Sequence, residues 1–187
     1  MNTASWLDLL NSDWHDYRGS GKREDRLDDP GWLERYLGRW VSDPEGEIDS
    51  ETARRALRSL RKAMRTIVNL LVRRRKVRAE DWARLNAFLE RVPYIRRIEA
   101  GSGKLALTEM PVGGPLDAAL ASIARSFAAT LAEADISRLK ICQNRDCLWV
   151  FLDSSKNKSR RWCETTCGNL MKVRRFRQRR KRASIAA

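Results

Sequence analysis

Cysteine is absent from the first 141 residues of this 187-residue chain, and histidine occurs once, as His15. With one histidine there is no HExxH metal motif, and the polar loop around His15 presents no Ser-His-Asp triad. There is no glycine-rich phosphate loop and no internal repeat. No apolar run approaches the roughly 20 residues needed to span a bilayer, so no membrane partner is expected. Met1 to Leu10 carries Asp8 and lacks a basic leader, which predicts no secretory signal. The expected setting is a reducing cytoplasm, where closely paired cysteines favour metal over disulfide. Together these absences predict a protein that is not an enzyme.

Acidic residues are also in short supply. Against 38 Lys and Arg stand 24 Asp and Glu, a net charge of +14. The imbalance is local: Arg138 to Ala187 holds fifteen basic and three acidic residues, a net +12, and the rest of the chain is nearly neutral at +2. A near-neutral body with a polycationic last quarter points to an anionic partner, nucleic acid before others.

The body reads as helical. Trp6, Leu7 and Leu10 suit a short first helix, followed by a polar loop over Asn11 to Asp28. Asp29-Pro30 is a helix start, with Trp32, Leu33, Tyr36, Leu37 and Trp40 forming its apolar stripe. Asp43 to Asp49 is turn-rich. Ser50 is the expected cap of a long helix to about Arg75 with core face Ala53, Leu57, Leu60, Met64, Ile67 and Leu71. Arg73-Arg74-Arg75-Lys76 closes it, where cations suit the helix dipole. A further helix, Ala79 to Glu90, is expected to bury Trp82, Leu85 and Leu89. Tyr94 to Glu99 and Lys104 to Glu109 flank Ala100-Gly101-Ser102-Gly103 as a β-hairpin. Leu116, Leu120, Ile123, Phe127 and Leu131 mark a last core helix. The fold class expected is mainly α with a small β-hairpin at about 94–109: a helical domain over 1–137, then a treble-clef-like, four-cysteine zinc unit over 138–187.

The four cysteines, Cys142, Cys147, Cys163 and Cys167, stand as C-x4-C and C-x3-C separated by fifteen residues. That spacing is a four-thiolate zinc site, closed and therefore structural, with one Zn²⁺ per chain. A disulfide or an iron–sulfur cluster are the competing uses of such a set. Leu148 to Leu152 is a β-prone run, Asp153 to Asn157 a turn, and Lys158 to Trp162 its returning strand. A helix beginning at the second pair would carry both sulfurs on its first turn. Along that helix Leu170, Val173 and Phe176 form a seam expected to pack on the hairpin, against Trp149 or Trp162. The other faces hold Lys172, Arg174, Arg175, Arg177, Arg179 and Arg180, continuing to Lys181 and Arg182. With Lys156, Lys158, Arg160 and Arg161 on the hairpin turn, these are the candidate nucleic-acid contacts, since the planar guanidinium gives phosphate two donors at once. DNA is the expected partner. RNA, with Trp149 or Phe151 as stacking platforms, is the alternative, as is a zinc-stapled module for acidic proteins.

Asn11, Trp14, Arg18 and Trp32 combine aromatic walls with directed polar groups and form a candidate pocket for a small effector. The competing reading has Arg18 paired with a local carboxylate and Asn11 capping a turn.

The stretch Arg161-Trp162-Cys163-x3-Cys167-Gly168-Asn169, with Cys142-x4-Cys147 upstream, resembles the CGNR zinc finger. The N-terminal part resembles the ABATE domain that precedes it in bacterial stress-induced transcription regulators. That likeness lies in Leu10-Asn11-Ser12, Arg18, Asp25-Arg26-Leu27, Trp32-Leu33 and Leu85-Asn86-Ala87-Phe88-Leu89. The resemblance implies the four cysteines as zinc ligands, a DNA-binding output and a sensing role for the N-terminal domain. Its arginine after Cys-Gly-Asn is Leu170 here, so any contact made by that arginine falls to Lys172 or Arg174, or Leu170 joins the apolar seam. A homodimer would suit a symmetric DNA site.

Overall fold

Helix-period apolar spacing dictates most of the architecture. The computed structural model describes residues 5–40, 49–101 and 103–185. Six α-helices and three two-stranded antiparallel ribbons lie within them. Helix α1 (Ser5–Leu10) buries Trp6, Leu9 and Leu10. Helix α2 (Pro30–Trp40) starts where Asp29 accepts the Gly31 N–H at 2.9 Å. Helix α3 (Ser50–Val72) is the long element. Its cap is Asp49, whose carboxylate accepts the Thr52 N–H at 2.9 Å, rather than Ser50. Asp49 wins because its side chain reaches the third amide of the helix while its own backbone stays outside. The turn-rich 43–48 stretch lies outside the described residues.

The expected α3 face is buried, apart from Leu71, which is half-buried. Helix α4 (Ala79–Leu89) departs from expectation, because Trp82 is exposed. Its inward stripe is Asp81, Leu85 and Phe88. Asp81 can face inward because its carboxylate accepts from Arg78 and Arg84, so the helix rotates Trp82 off the core. Helix α5 (Pro115–Glu133) runs through the centre, where Phe127 packs on Trp6 with ring centroids 5.2 Å apart. The Trp6 indole N–H donates to Thr130 at 3.0 Å, so this buried ring keeps its polar edge satisfied.

The 11–28 stretch is not a plain loop. It contains a ribbon of β1 (Asp13–His15) and β2 (Arg23–Asp25), then a 3-10 turn over Arg26–Asp28. Asp25 anchors it: Arg61 of α3 forks onto its two oxygens at 2.7 and 2.6 Å, and Arg58 donates at 3.0 Å. Strands this short carry too little periodicity to be seen in sequence. The 94–109 hairpin is present and longer, as β3 (Tyr94–Gly101) and β4 (Lys104–Pro111). Beyond it, β5 (Leu139–Ile141) pairs with β6 (Val150–Leu152). Leu139 and Val150 belong to the same apolar core as α1, α3 and α5, so this last ribbon is built into the body. None of the described helices is long and apolar enough to cross a membrane.

Candidate metal centre and nucleic-acid interface

The two strands of the last ribbon splay around the first cysteine pair. Cys142 follows β5, and its N–H donates to the Trp149 carbonyl at 2.8 Å. The chain then curls through Gln143 to Asp146 and returns at Leu148, whose φ of +55° closes the knuckle. Asn144 holds this curl together and is fully buried. Its Oδ1 accepts the Asp146 N–H at 3.3 Å, and its amide donates to the Tyr17 carbonyl at 2.8 Å and towards Cys167 Sγ at 3.7 Å. The second pair arrives with helix α6 (Thr165–Ile185): Cys163 sits just before it and Cys167 in its first turn.

All four sulfurs lie within 4.8 Å of one another and all four residues are buried. Cys147 and Cys163 are 3.6 Å apart, Cys163 and Cys167 3.8 Å. Four thiolates at zinc's usual bond length of ~2.3 Å would stand ~3.8 Å apart, so the cage fits such an ion. Charge argues the same way. Hydrogen bonds from Cys147 and Cys163 hold Cys142 far below the ordinary thiol range, and the same cluster pushes Cys147 up to about 12. Four sulfurs this close cannot all ionise without a cation between them. The donor set is soft, complete and enclosed, which suits a structural metal and leaves no coordination position for a substrate.

The expected return strand over Lys158 to Trp162 does not form. The partner of β6 is β5, and the segment from Asp153 is an irregular loop organised by one buried carboxylate. Asp153 accepts from the Ser155 N–H at 2.9 Å, the Ser155 hydroxyl at 2.6 Å and the Arg160 N–H at 2.8 Å. An Asp whose side chain takes backbone donors makes a turn where β-propensity alone suggests a strand.

The candidate phosphate-binding cations divide. Lys158 is paired with Asp135. Arg160 donates to the Cys163 carbonyl and lies 4.9 Å over the Phe151 ring. Arg161 donates to Gln143 at 2.7 Å. Arg174 donates to Asp146 at 2.6 Å and to the Arg18 carbonyl at 2.7 Å, which ties α6 back to the body. Of these only Arg174 is half-buried; Lys158, Arg160 and Arg161 stay exposed, and Lys156, Lys172, Arg175, Arg177, Arg179 and Arg180 are exposed with no ion pair among the described residues. Arg175 lies over Trp162 and Arg180 over Phe176, each with its guanidinium carbon 5.9 Å from the ring centroid. The expected apolar seam of α6 ends early: Leu170 is half-buried, but Val173 and Phe176 are 45% and 60% exposed. Trp162 packs on Gly168 instead, at the root of the helix.

The four residues of the expected effector pocket are not gathered in one place. Asn11 clamps Val150, accepting its N–H and donating to its carbonyl, both at 2.9 Å. Asn11 and Trp32 do line one cavity of about 260 Å³. Trp14 and Arg18 are not among its lining residues: Trp14 sits in β1 opposite Glu24, and Arg18 lies 5.4 Å over Tyr17. Several residues that hold the metal unit to the body carried little sequence signal. Arg65 of α3 donates to the Leu10 carbonyl at 2.6 Å and the Leu148 carbonyl at 3.1 Å, yet in sequence it is one arginine among many. Asn144 could have been singled out as a turn-forming residue inside a cysteine pair.

A four-thiol knuckle closed by the start of a basic helix, and docked on a helical body, defines a helical protein with a zinc-finger-like C-terminal unit. Family comparison agrees. Residues 138–180 match the CGNR zinc finger, and residues 3–134 match the ABATE family, described as putative stress-induced transcription regulator. The chain belongs to the ABATE family and carries a CGNR zinc finger. No curated protein matches it.

Proposed function

We propose that the protein is a cytoplasmic, zinc-dependent transcription regulator that binds duplex DNA through α6 and senses a small molecule through its N-terminal domain. On this reading the boundary lies near Ser137, and one Zn²⁺ per chain staples residues 138–187. The observation that carries it is the outer half of α6. From Arg175 to Ser184 every residue is exposed, and Arg175, Arg177, Arg179, Arg180, Lys181 and Arg182 lie within it. At ~1.5 Å per residue this is about 15 Å of bare cationic helix. A helix of ~10–12 Å diameter fits the ~12 Å major groove. The exposed Val173 and Phe176 add apolar contacts of the kind that meet thymine methyl groups.

The RNA alternative loses support. Phe151 is buried beneath Arg160, and Trp149 is half-buried against the cysteine cluster and turned to a small cavity beside Arg26 and Trp32, so neither offers an open face to a strand of stacked bases.

The test is binding of metal-loaded protein to a pool of random duplexes across a salt series, with structured RNA as competitor. Six phosphate contacts would lower affinity roughly 10³-fold between 50 and 200 mM salt. Salt-insensitive binding, or a clear preference for RNA, would overturn the reading.

A further inference from the structure

At the seam between the helical body and the metal unit lies the cavity of about 260 Å³ noted above. Trp32, Tyr36 and Trp149 line it, together with three arginines, Arg26, Arg35 and Arg39. Trp32 stacks on Tyr36 with centroids 4.9 Å apart and ring planes 9° off parallel. The Arg26 guanidinium carbon stands 5.9 Å from the Trp149 ring centroid. The cavity's one carboxylate is Asp8, which engages Arg39 at 3.5 Å. Among the described residues, Arg26 and Arg35 have no carboxylate in ion-pair contact. Arg26 shares the field of Asp8 with Arg39, yet makes no direct ion pair among the described residues. Two guanidiniums without a contacting carboxylate beside flat π-faces, in a space somewhat below the ~300 Å³ of common ligand pockets, suit a single aromatic ring carrying one oxyanion group.

We infer that this cavity binds a small aromatic anion, an aryl phosphate or aryl carboxylate. The ring lies against Trp32 and Trp149, and Arg26 and Arg35 hold the oxyanion. The inference rests on the sensing role proposed above and gives it a location and a ligand chemistry. Its position also supplies the route to the output. Asn11 lines the cavity and grips Val150, while the Trp149 carbonyl receives the N–H of Cys142. A ligand wedged against Trp149 therefore sits one hydrogen bond from a metal ligand.

The experiment is calorimetric titration of the metal-loaded full chain with phenyl phosphate, without DNA, alongside inorganic phosphate and benzyl alcohol. Phenyl phosphate is expected to bind saturably, at one per chain, and tighter than either control. Arg35→Gln changes an exposed side chain and should weaken binding about 10-fold, the cost of one charge-assisted hydrogen bond. Arg26→Gln, the second variant, carries the same expectation. A double change on α6, Arg177→Gln with Arg179→Gln, should leave binding unchanged. Absence of saturation, equal binding of inorganic phosphate, or loss in the α6 variant but not in the cavity variants would each overturn the inference. Because DNA is absent, failure of the DNA-binding reading leaves this result readable.

Discussion

Asn11 and Val150 are 139 positions apart and share two buried hydrogen bonds, both at 2.9 Å. The Asn11 side chain imitates a neighbouring strand, offering an acceptor to the Val150 N–H and a donor to its carbonyl. It satisfies the edge of β6 without a third strand. Asn11→Ala would orphan two buried backbone groups. The expected loss is about 3 kcal/mol, read from denaturant unfolding of the metal-loaded protein. Asn11→Asp sets a carboxylate oxygen against the Val150 carbonyl in a buried site, so it should cost at least as much as Asn11→Ala.

Gly19 supplies a second tie. Its φ is +87°, and a Cβ there would stand 2.8 Å from a guanidinium nitrogen of Arg174 and 2.9 Å from the Asp146 carboxylate. Gly21 shares the backbone conformation, φ +81°, with open space around it. Gly21→Ala should therefore cost only the backbone term, about 1 kcal/mol. Gly19→Ala should cost that and more, because the Arg174 and Asp146 side-chain ends must shift, loosening their pair. Comparing the two unfolding curves isolates the contact.

The division among the basic residues predicts opposite phenotypes. Arg177→Gln and Arg179→Gln should each flatten the plot of log affinity for duplex against log salt by roughly one unit, with melting unchanged. Arg174→Gln should do the reverse, lowering the melting temperature with a smaller change in slope. Equal salt slopes for all three would refute this partition.

Metal removal should have a bounded effect. Leu139 and Val150 are held by the body's apolar core, whereas Cys163 and Cys167 sit in a small separate cluster around the four sulfurs, with, among the described residues, only Arg174 tying the next turns of α6 to the body. A chelator under reducing conditions should melt α6, seen as lost helical ellipticity, while the turn held by Asp153 and Arg138 stays formed. The cooperative unfolding of the rest should persist. Cys163→Ser should mimic it.

Asp25 gives a pH signature. Burial pushes its carboxyl up, but hydrogen bonds from Arg61 and Arg58 win and hold it at about 2. A carboxylate depressed in the folded state contributes stability above its unfolded pKa of ~3.9 and loses it as pH falls towards ~2. Metal-free wild type should thus lose stability between about pH 4 and 2 more steeply than metal-free Asp25→Asn, by thermal melts. At neutral pH the variant should be the less stable, because Arg61 then lacks its partner.

What can be read from the sequence is whatever repeats. The α3 and α5 faces recur every three to four residues, and the four cysteines have a spacing with one dominant chemistry, so helices and metal cage are both legible. Trp82 is not, since in α4 a satisfied Asp81 takes the inward position that hydrophobicity assigns to tryptophan. The pairing of β6 is hidden for a related reason. Proximity along the chain favours the segment after it, whereas Asp153 bends that segment away and leaves β5, on the far side of the knuckle, as the partner. The cations can be counted but not sorted: charge is visible in a sequence, but Asp135, Gln143 and Asp146, which claim Lys158, Arg161 and Arg174, become neighbours only on folding.

The ribbon formed by β5 and β6 faces two ways, with apolar side chains entering the helical core and its open end holding the first cysteine pair. A cut near Ser137, where composition changes, would therefore leave both fragments with a raw oily surface. Neither piece should travel well alone, and a chimera that borrows this finger would need to bring its cushion of α1 and α3 with it.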